Sequence, residues 1–287
     1  MRLIRFGTPG NERPGLLLED GTRLDASAAA SDYDEAFFVS GGLDRLGRWL
    51  RDGGKEHAPR VDGGMRLGPP VARPSKIVCV GLNYLDHAAE SGLDPPAEPV
   101  LFMKASTSLS GPFDPIELPR GSEKTDWEIE LAVIIGRTAK YVEERDAMEY
   151  VAGFAIMNDV SERAFQIERG GQWVKGKSCD TFSPLGPALV TTDEIDDVHD
   201  LNMSLTVNGE SMQDGSTSMM IFNVPVVVSY VSRFMTLVPG DVISTGTPAG
   251  VGLGMKPPRY LREGDIVALR IETLGTSRQE VVAPRTG

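Results

Sequence analysis

The segment Trp127-Glu128-Ile129-Glu130-Leu131-Ala132-Val133-Ile134-Ile135 restricts the fold more than any other part of the chain. As a strand, it puts Trp127, Ile129, Leu131, Val133 and Ile135 on one face. Glu128 and Glu130 fall on the other face, about 6.5–7 Å apart along the strand. That face continues as Ala132 and Ile134, so it is not a simple polar surface. The strand is apolar on both sides, yet it opens with two carboxylates. Burying like charges is costly, and a divalent cation would compensate for it. The spacing equally allows the strand to enter the core after its first turn, leaving both glutamates at a wet rim.

A third acid bears on that choice. The apolar run Phe154–Met157 ends in Asn158-Asp159-Val160, and acids at strand ends commonly face pockets. Three oxygen ligands without histidine or cysteine favour a hard ion, Mg²⁺, Mn²⁺ or Ca²⁺. His57, His87 and His199 are too scattered for a conventional zinc motif. In Asn83-Tyr84-Leu85-Asp86-His87-Ala88-Ala89-Glu90, a helix brings His87 and Glu90 together at i and i+3. A carboxylate on one ring nitrogen fixes the imidazole tautomer and raises its basicity, which prepares a general base. A surface ion pair on a short helix has the same spacing. The tract Gly171–Ser178 matches the G-x-x-x-x-G-K-[ST] pattern, but a polar segment precedes it and Pro184 and Pro187 follow it. It therefore lacks the strand and helix that a phosphate-binding loop requires, though Lys177 remains a candidate pocket cation. Gly246-Thr247-Pro248-Ala249-Gly250-Val251-Gly252 follows a strand and could offer backbone N–H groups to an oxyanion, or be an ordinary tight loop.

The 287 residues contain 32 glycines and 20 prolines, a turn-rich composition that suits strands better than a helical bundle. Strands are predicted at Arg2–Phe6, Gly15–Glu19, Lys76–Val80, Val100–Met103, Phe154–Asn158, Leu201–Val207, Asp241–Ser244 and Asp265–Ile271. Asn208-Gly209 predicts a tight hairpin. Helices are predicted at Leu43–Arg51, Tyr84–Ser91, Glu143–Val151 and Val224–Met235. The Pro-rich stretch Gly68–Pro74 predicts a boundary between a small N-terminal α+β domain (1–72) and a larger catalytic domain (73–287). The expected class is α+β and β-rich. A formal charge of −12 argues against nucleic acid and anionic membranes as partners. Cys79 and Cys179 are expected to be free thiols, and with no secretory signal apparent the expected location is the cytoplasm.

Taken in order, these pieces resemble the fumarylacetoacetate hydrolase family. The resemblance is carried by Gly81-Leu82-Asn83-Tyr84 with His87 and Glu90, then Phe102-Met103-Lys104 and Glu128-x-Glu130. It continues in Asn158–Arg163, Lys177-Ser178-x-Asp180-Thr181-Phe182-x-Pro184-x-Gly186-Pro187 and Gly246-Thr247-Pro248-x-Gly250-Val251-Gly252, spanning about residues 73 to 275. The resemblance implies that family's C-terminal-domain fold, a homodimer or higher homo-oligomer, and Mg²⁺ or Mn²⁺ held by Glu128, Glu130 and Asp159. No carboxylate occurs in Ile77–Leu82, where the founding hydrolase has an additional acid. The chain instead resembles the three-ligand acylpyruvase and decarboxylase branch. Arg13-Pro14-Gly15, Gly121–Trp127, Glu168–Trp173 and Met255–Leu261 further resemble a bacterial sugar-acid subgroup. That subgroup includes 2,4-diketo-3-deoxy-L-rhamnonate hydrolases, and many of its members are labelled ureidoglycolate lyase. The implied reaction is hydrolysis of a small anionic 2,4-diketo acid to pyruvate and a carboxylic acid, here L-lactate. His87 and Glu90 would activate water, Lys177 would assist the developing charge, and Arg163, Gln166, Thr247 and Lys104 would contact the substrate. Oxaloacetate decarboxylation and ureidoglycolate cleavage are the alternatives.

Overall fold

In a computed structural model, which describes residues 1–90, 92 and 94–284, the segment after Glu128 forms the strand Ile129–Ile135 at the centre of a large sheet. It lies between Val151–Asn158 and Val242–Ser244, antiparallel to both. Ile77–Gly81 continues the sheet in parallel beside Val242–Ser244, and Val100–Lys104 follows. On the opposite side, Val151–Asn158 pairs with Ser183–Thr191, a strand not predicted from the sequence. Its opening, Ser183-Pro184-Leu185-Gly186-Pro187, looks like a loop, yet all nine strand residues are buried.

The N-terminal segment does not stand apart from this sheet. Arg2–Phe6 pairs with Ser183–Thr191 and with Arg13–Leu17, so the first strands extend the central sheet. Its helices Glu35–Val39 and Gly42–Arg51 bring Phe37, Phe38 and Leu46 against Leu3, Leu185 and Leu189, on the sheet face that includes Ala132 and Ile134. The other face, with Leu131 and Val133, packs on Val224–Phe234 and on a second sheet. That sheet is ordered Glu210–Ser216, Asn202–Val207, Ile266–Ile271, Gly275–Val282, Ile116–Glu117. The alternation predicted for Trp127–Ile135 is therefore realised, with each face closed by its own apolar layer.

Most predicted elements form within one or two residues of their expected ends. Asn208 and Gly209 take φ of 54° and 81° between Asn202–Val207 and Glu210–Ser216, as a tight hairpin requires. The predicted helix Tyr84–Ser91 spans Leu85–Glu90, and Ser91 lies outside the described residues. Glu143–Val151 differs in type, since Glu144–Tyr150 is a 3₁₀ helix whose only buried residue is Ala147. Met148 and Tyr150 also pack on the core, so its apolar contacts fall on nearby positions rather than along a long α-helical stripe. Gly171–Ser178 contributes a single helical turn, Val174–Lys177, with the helix Arg163–Ile167 before it rather than a strand. Cys79 and Cys179 are free, and no helix among the described residues is long and apolar enough to cross a membrane.

Candidate active site

The strand register brings the acids together. Ile129 pairs with Asn158, so Glu128 stands opposite Asp159, and the Asp159 N–H donates to Glu128 O at 2.9 Å. Opposed residues share a face, and Glu130 is two positions from Glu128, so all three carboxylates emerge on the same side. Their potential ligand oxygens lie within 4.8 Å of one another. Glu128 is 5% exposed, Glu130 2% and Asp159 0%, which rules out a wet rim.

Three cations are built around them. Lys177 Nζ bridges Glu128 Oε2 at 2.5 Å and Asp159 Oδ2 at 2.8 Å. Arg163 Nη2 donates to Glu128 Oε1 at 2.7 Å, and its Nε donates to Asp126 Oδ2 at 2.8 Å. Lys104 Nζ donates to Asp159 Oδ1 at 2.5 Å and to Val160 O at 3.0 Å. Glu130 differs, because its bonded donors are the Ser244 hydroxyl at 2.5 Å and the Gly246 N–H at 2.8 Å. Three cations thus meet three buried carboxylates (Asp126, Glu128 and Asp159), and Glu130 is left without a bonded cation. Burial alone would raise the Glu128 pKa, but Arg163 and Lys177 outweigh it and hold the group below the usual carboxylate range. Burial, then the charges of Asp159 and Glu128, push Glu130 well above that range. Burial opposes the charge on Lys177, but Asp159 and Glu128 prevail and raise its pKa.

His87 and Glu90 meet as their spacing predicts, with His87 Nδ1 and Glu90 Oε2 3.3 Å apart. The Gly250 N–H donates to both Glu90 oxygens, at 3.0 and 3.2 Å, so the acid is fixed from the loop after Val242–Ser244. Gly254 crowds it from the other side, since a Cβ there would lie 2.4 Å from Glu90 Cδ. Gly246 takes φ of +98°, and a Cβ there would meet Asn83 Cβ at 2.9 Å, so only glycine can present its N–H to Glu130 in this turn.

The dyad, Glu128 and Glu130 open onto one cavity of about 560 Å³, with Asp159 buried behind its lining. His87, Glu90, Glu128, Glu130, Arg163, Gln166, Lys177 and Thr247 all line it. Lys104, expected as a substrate contact, does not: it is 2% exposed beneath Asp159, where an unpaired carboxylate would be costly. Thr247 lines the cavity, but its hydroxyl donates to Ile129 O and accepts from Gln213 Nε2, both at 2.8 Å. Gln166 Oε1 accepts from Arg163 Nη1 at 3.1 Å, which leaves the amide N–H groups of Gln166 available. Sequence reasoning missed Asp126, Ser244 and Gln213, which hold the site without patterned spacing. It also missed the wall in which Trp173 meets Phe102 edge to face at 5.2 Å. An acid directly before Trp127-Glu128 was the one legible clue to Asp126.

The cluster suits a hard divalent ion. Its donors are carboxylate oxygens, and Glu130 faces the cavity without a bonded cation. Comparisons with known proteins agree with this chemistry. The C-terminal fumarylacetoacetate hydrolase family model matches residues 76–282. The chain is 50% identical over 283 residues to a 2,4-didehydro-3-deoxy-L-rhamnonate hydrolase of Sphingomonas sp. (strain SKA58), covering 98% of this chain and 96% of that one. Its structure superposes with a TM-score of 0.85 on the fumarylacetoacetate hydrolase of psychrophilic Exiguobacterium antarcticum, at 40% identity over 99% of both chains. The maleylpyruvate hydrolase of Sphingobium sp. SYK-6, solved with manganese(II) and pyruvate, aligns with a TM-score of 0.80 and 29% identity, over 99% of this chain and 100% of that one. The carboxylate triad and the dyad therefore stand in an enzyme scaffold, and the chain belongs to the fumarylacetoacetate hydrolase family.

Proposed function

We propose that the chain is a metal-dependent hydrolase that cleaves the C3–C4 bond of a 2,4-diketo acid. The leading substrate is 2,4-diketo-3-deoxy-L-rhamnonate, with pyruvate and L-lactate as products. The observation that carries this reading is the opening of one cavity onto both Glu128 and Glu130 of the three-carboxylate cluster and a histidine held by a glutamate. The Sphingomonas relative, named for that substrate, supports the choice.

A divalent ion held by Glu128, Glu130 and Asp159, Mg²⁺ or Mn²⁺, would supply a Lewis acid for the enolate charge. Every other task falls to the chain itself. Glu90 accepts the Nδ1 proton of His87, which leaves Nε2 free to take a proton from water. The hydroxide attacks C4, the C3–C4 bond breaks, and its electron pair becomes the pyruvate enolate. The proton held on His87 returns to C3. Lys177 Nζ, already lining the cavity, meets the developing negative charge. Arg163 uses three of its five N–H donors on protein groups, and the remaining two with the Gln166 amide orient the substrate carboxylate. The Trp173–Phe102 wall receives the methyl-terminated end. A homodimer, as the family resemblance implies, acting in the cytoplasm, as the sequence leads one to expect, completes the reading.

A substrate panel tests it. The chain is incubated with 2,4-diketo-3-deoxy-L-rhamnonate, oxaloacetate and ureidoglycolate, with Mg²⁺, Mn²⁺ or chelator, while pyruvate and glyoxylate are followed. Pyruvate should form fastest from the diketo acid and disappear with chelator. Faster turnover of oxaloacetate, or glyoxylate from ureidoglycolate as the main product, would overturn the proposal.

A further inference from the structure

Asp126 is fully buried and does not line the cavity, yet it is bonded to both working halves of the site. Its Oδ1 accepts from Trp127 N at 2.8 Å and Gly252 N at 2.7 Å. Its Oδ2 accepts from Arg163 Nε at 2.8 Å and Leu253 N at 2.9 Å. Through Arg163, whose Nη2 reaches Glu128 Oε1 at 2.7 Å, it touches the carboxylate triad. Through Gly252 and Leu253 it anchors the turn whose Gly250 N–H holds Glu90 and whose Gly254 packs on Glu90. Glu90 in turn orients His87.

We infer that Asp126 is the positioning residue that locks the metal-ligand half of the site to the proton-transfer half. Arg163 carries a permanent charge. Divided between two carboxylates, its fork leaves Glu128 with one oxygen committed to Arg163 and holds the guanidinium back from the cluster. Without Asp126, the full charge of Arg163 turns to Glu128 and competes with a metal ion for it. Loss of the same carboxylate frees the Gly252 and Leu253 N–H groups, and the turn that clamps Glu90 loosens. A substitution at a residue that touches no substrate should therefore disturb both metal binding and the histidine.

The assignment rests on the triad and dyad being the working parts of the site, so the test reads each without using turnover. Asp126→Asn preserves size but turns an amide N–H₂ toward backbone or guanidinium donors. Mn²⁺ affinity of the chelator-stripped full chain is measured by electron paramagnetic resonance. The ring ¹H–¹⁵N signals of His87 are followed by NMR. Asp126→Asn should weaken Mn²⁺ binding by about 10–100-fold and move the His87 signals. Asp25→Asn, which removes the buried partner of Arg13 in the N-terminal segment, should do neither. Leu253→Pro deletes only one of the two turn N–H groups, so relative to Leu253→Ala it should move the His87 signals and leave Mn²⁺ affinity unchanged. A folded Asp126→Asn protein with wild-type Mn²⁺ affinity and unmoved His87 signals would overturn the inference. Should that variant not fold, identical His87 signals in Leu253→Pro and Leu253→Ala would overturn it instead. A wild-type chain that binds no Mn²⁺ would contradict the metal reading itself, while the His87 signals still decide the coupling.

Discussion

Glu130→Gln should make the metal-free protein more stable while abolishing its function. Both acceptor bonds of Glu130 fall on Oε2, from Ser244 and Gly246, and a glutamine Oε1 can take both. The change therefore keeps the scaffold, removes one charge and replaces the free ligand oxygen with a non-ligating N–H₂. At 4.8 Å, the outer separation within the cluster, two unit charges repel by about 3.5 kcal/mol at an effective dielectric near 20. Lys177 offsets part of this, so the net gain from neutralising Glu130 should be about 1–2 kcal/mol, or about 2–3 °C in Tm for a chain of this size. The pH dependence follows from the raised pKa of Glu130. Below its unfolded-state pKa of about 4.3, the group is neutral in both states and costs nothing. As pH rises from there toward the folded-state value, the unfolded chain gives up the proton that the native state retains, and wild-type stability falls. Scanning calorimetry of chelator-treated proteins should find the variant more stable at pH 7.5 and the difference gone near pH 4. Added Mn²⁺ should raise the Tm of the wild type and leave Glu130→Gln unmoved. A variant less stable than wild type at pH 7.5, or one retaining the full Mn²⁺ shift, would refute the reasoning.

Further predictions concern the dyad and the core. Gly254→Ala should displace Glu90 from His87 and lower kcat by about 10–100-fold, with Mn²⁺ affinity intact; steady-state kinetics with Mn²⁺ titration checks both. Lys104→Met should weaken folding rather than raise KM alone, because it strips Asp159 of a buried partner beneath the cavity; denaturant unfolding and steady-state kinetics check both. Leu131→Ala, at a fully buried site between the two sheets, should cost about 2–5 kcal/mol of stability in denaturant unfolding while leaving ligand geometry in place.

The carboxylate cluster was legible because strand geometry is local. A period of two put Glu128 and Glu130 on one face, and an acid at the end of a neighbouring apolar run supplied Asp159. The i, i+3 spacing likewise foretold the contact between His87 and Glu90. Lys104 and Asp126 were harder, because their roles depend on register between strands distant in sequence. Nothing around Lys104 signals that it lies under Asp159 rather than in the cavity. Asp126 meets the 252–253 turn through a contact 126 residues away. Ser183–Thr191 escaped notice because its prolines and glycine mimic a turn, while burial on both faces removes the alternation that would mark a strand. The attachment of the N-terminal strands also arises from pairing, Leu3 with Leu189, which composition near Gly68–Pro74 does not reveal.

The central claim is hydrolytic carbon–carbon cleavage that depends on the carboxylate triad. Its most direct test is one reaction of 2,4-diketo-3-deoxy-L-rhamnonate with Mn²⁺ in ¹⁸O-enriched water, its products resolved by mass spectrometry. The account predicts equimolar pyruvate and lactate, solvent oxygen in the lactate carboxylate, and loss of both products in chelator. Pyruvate without lactate, or turnover unchanged by chelation, would contradict it.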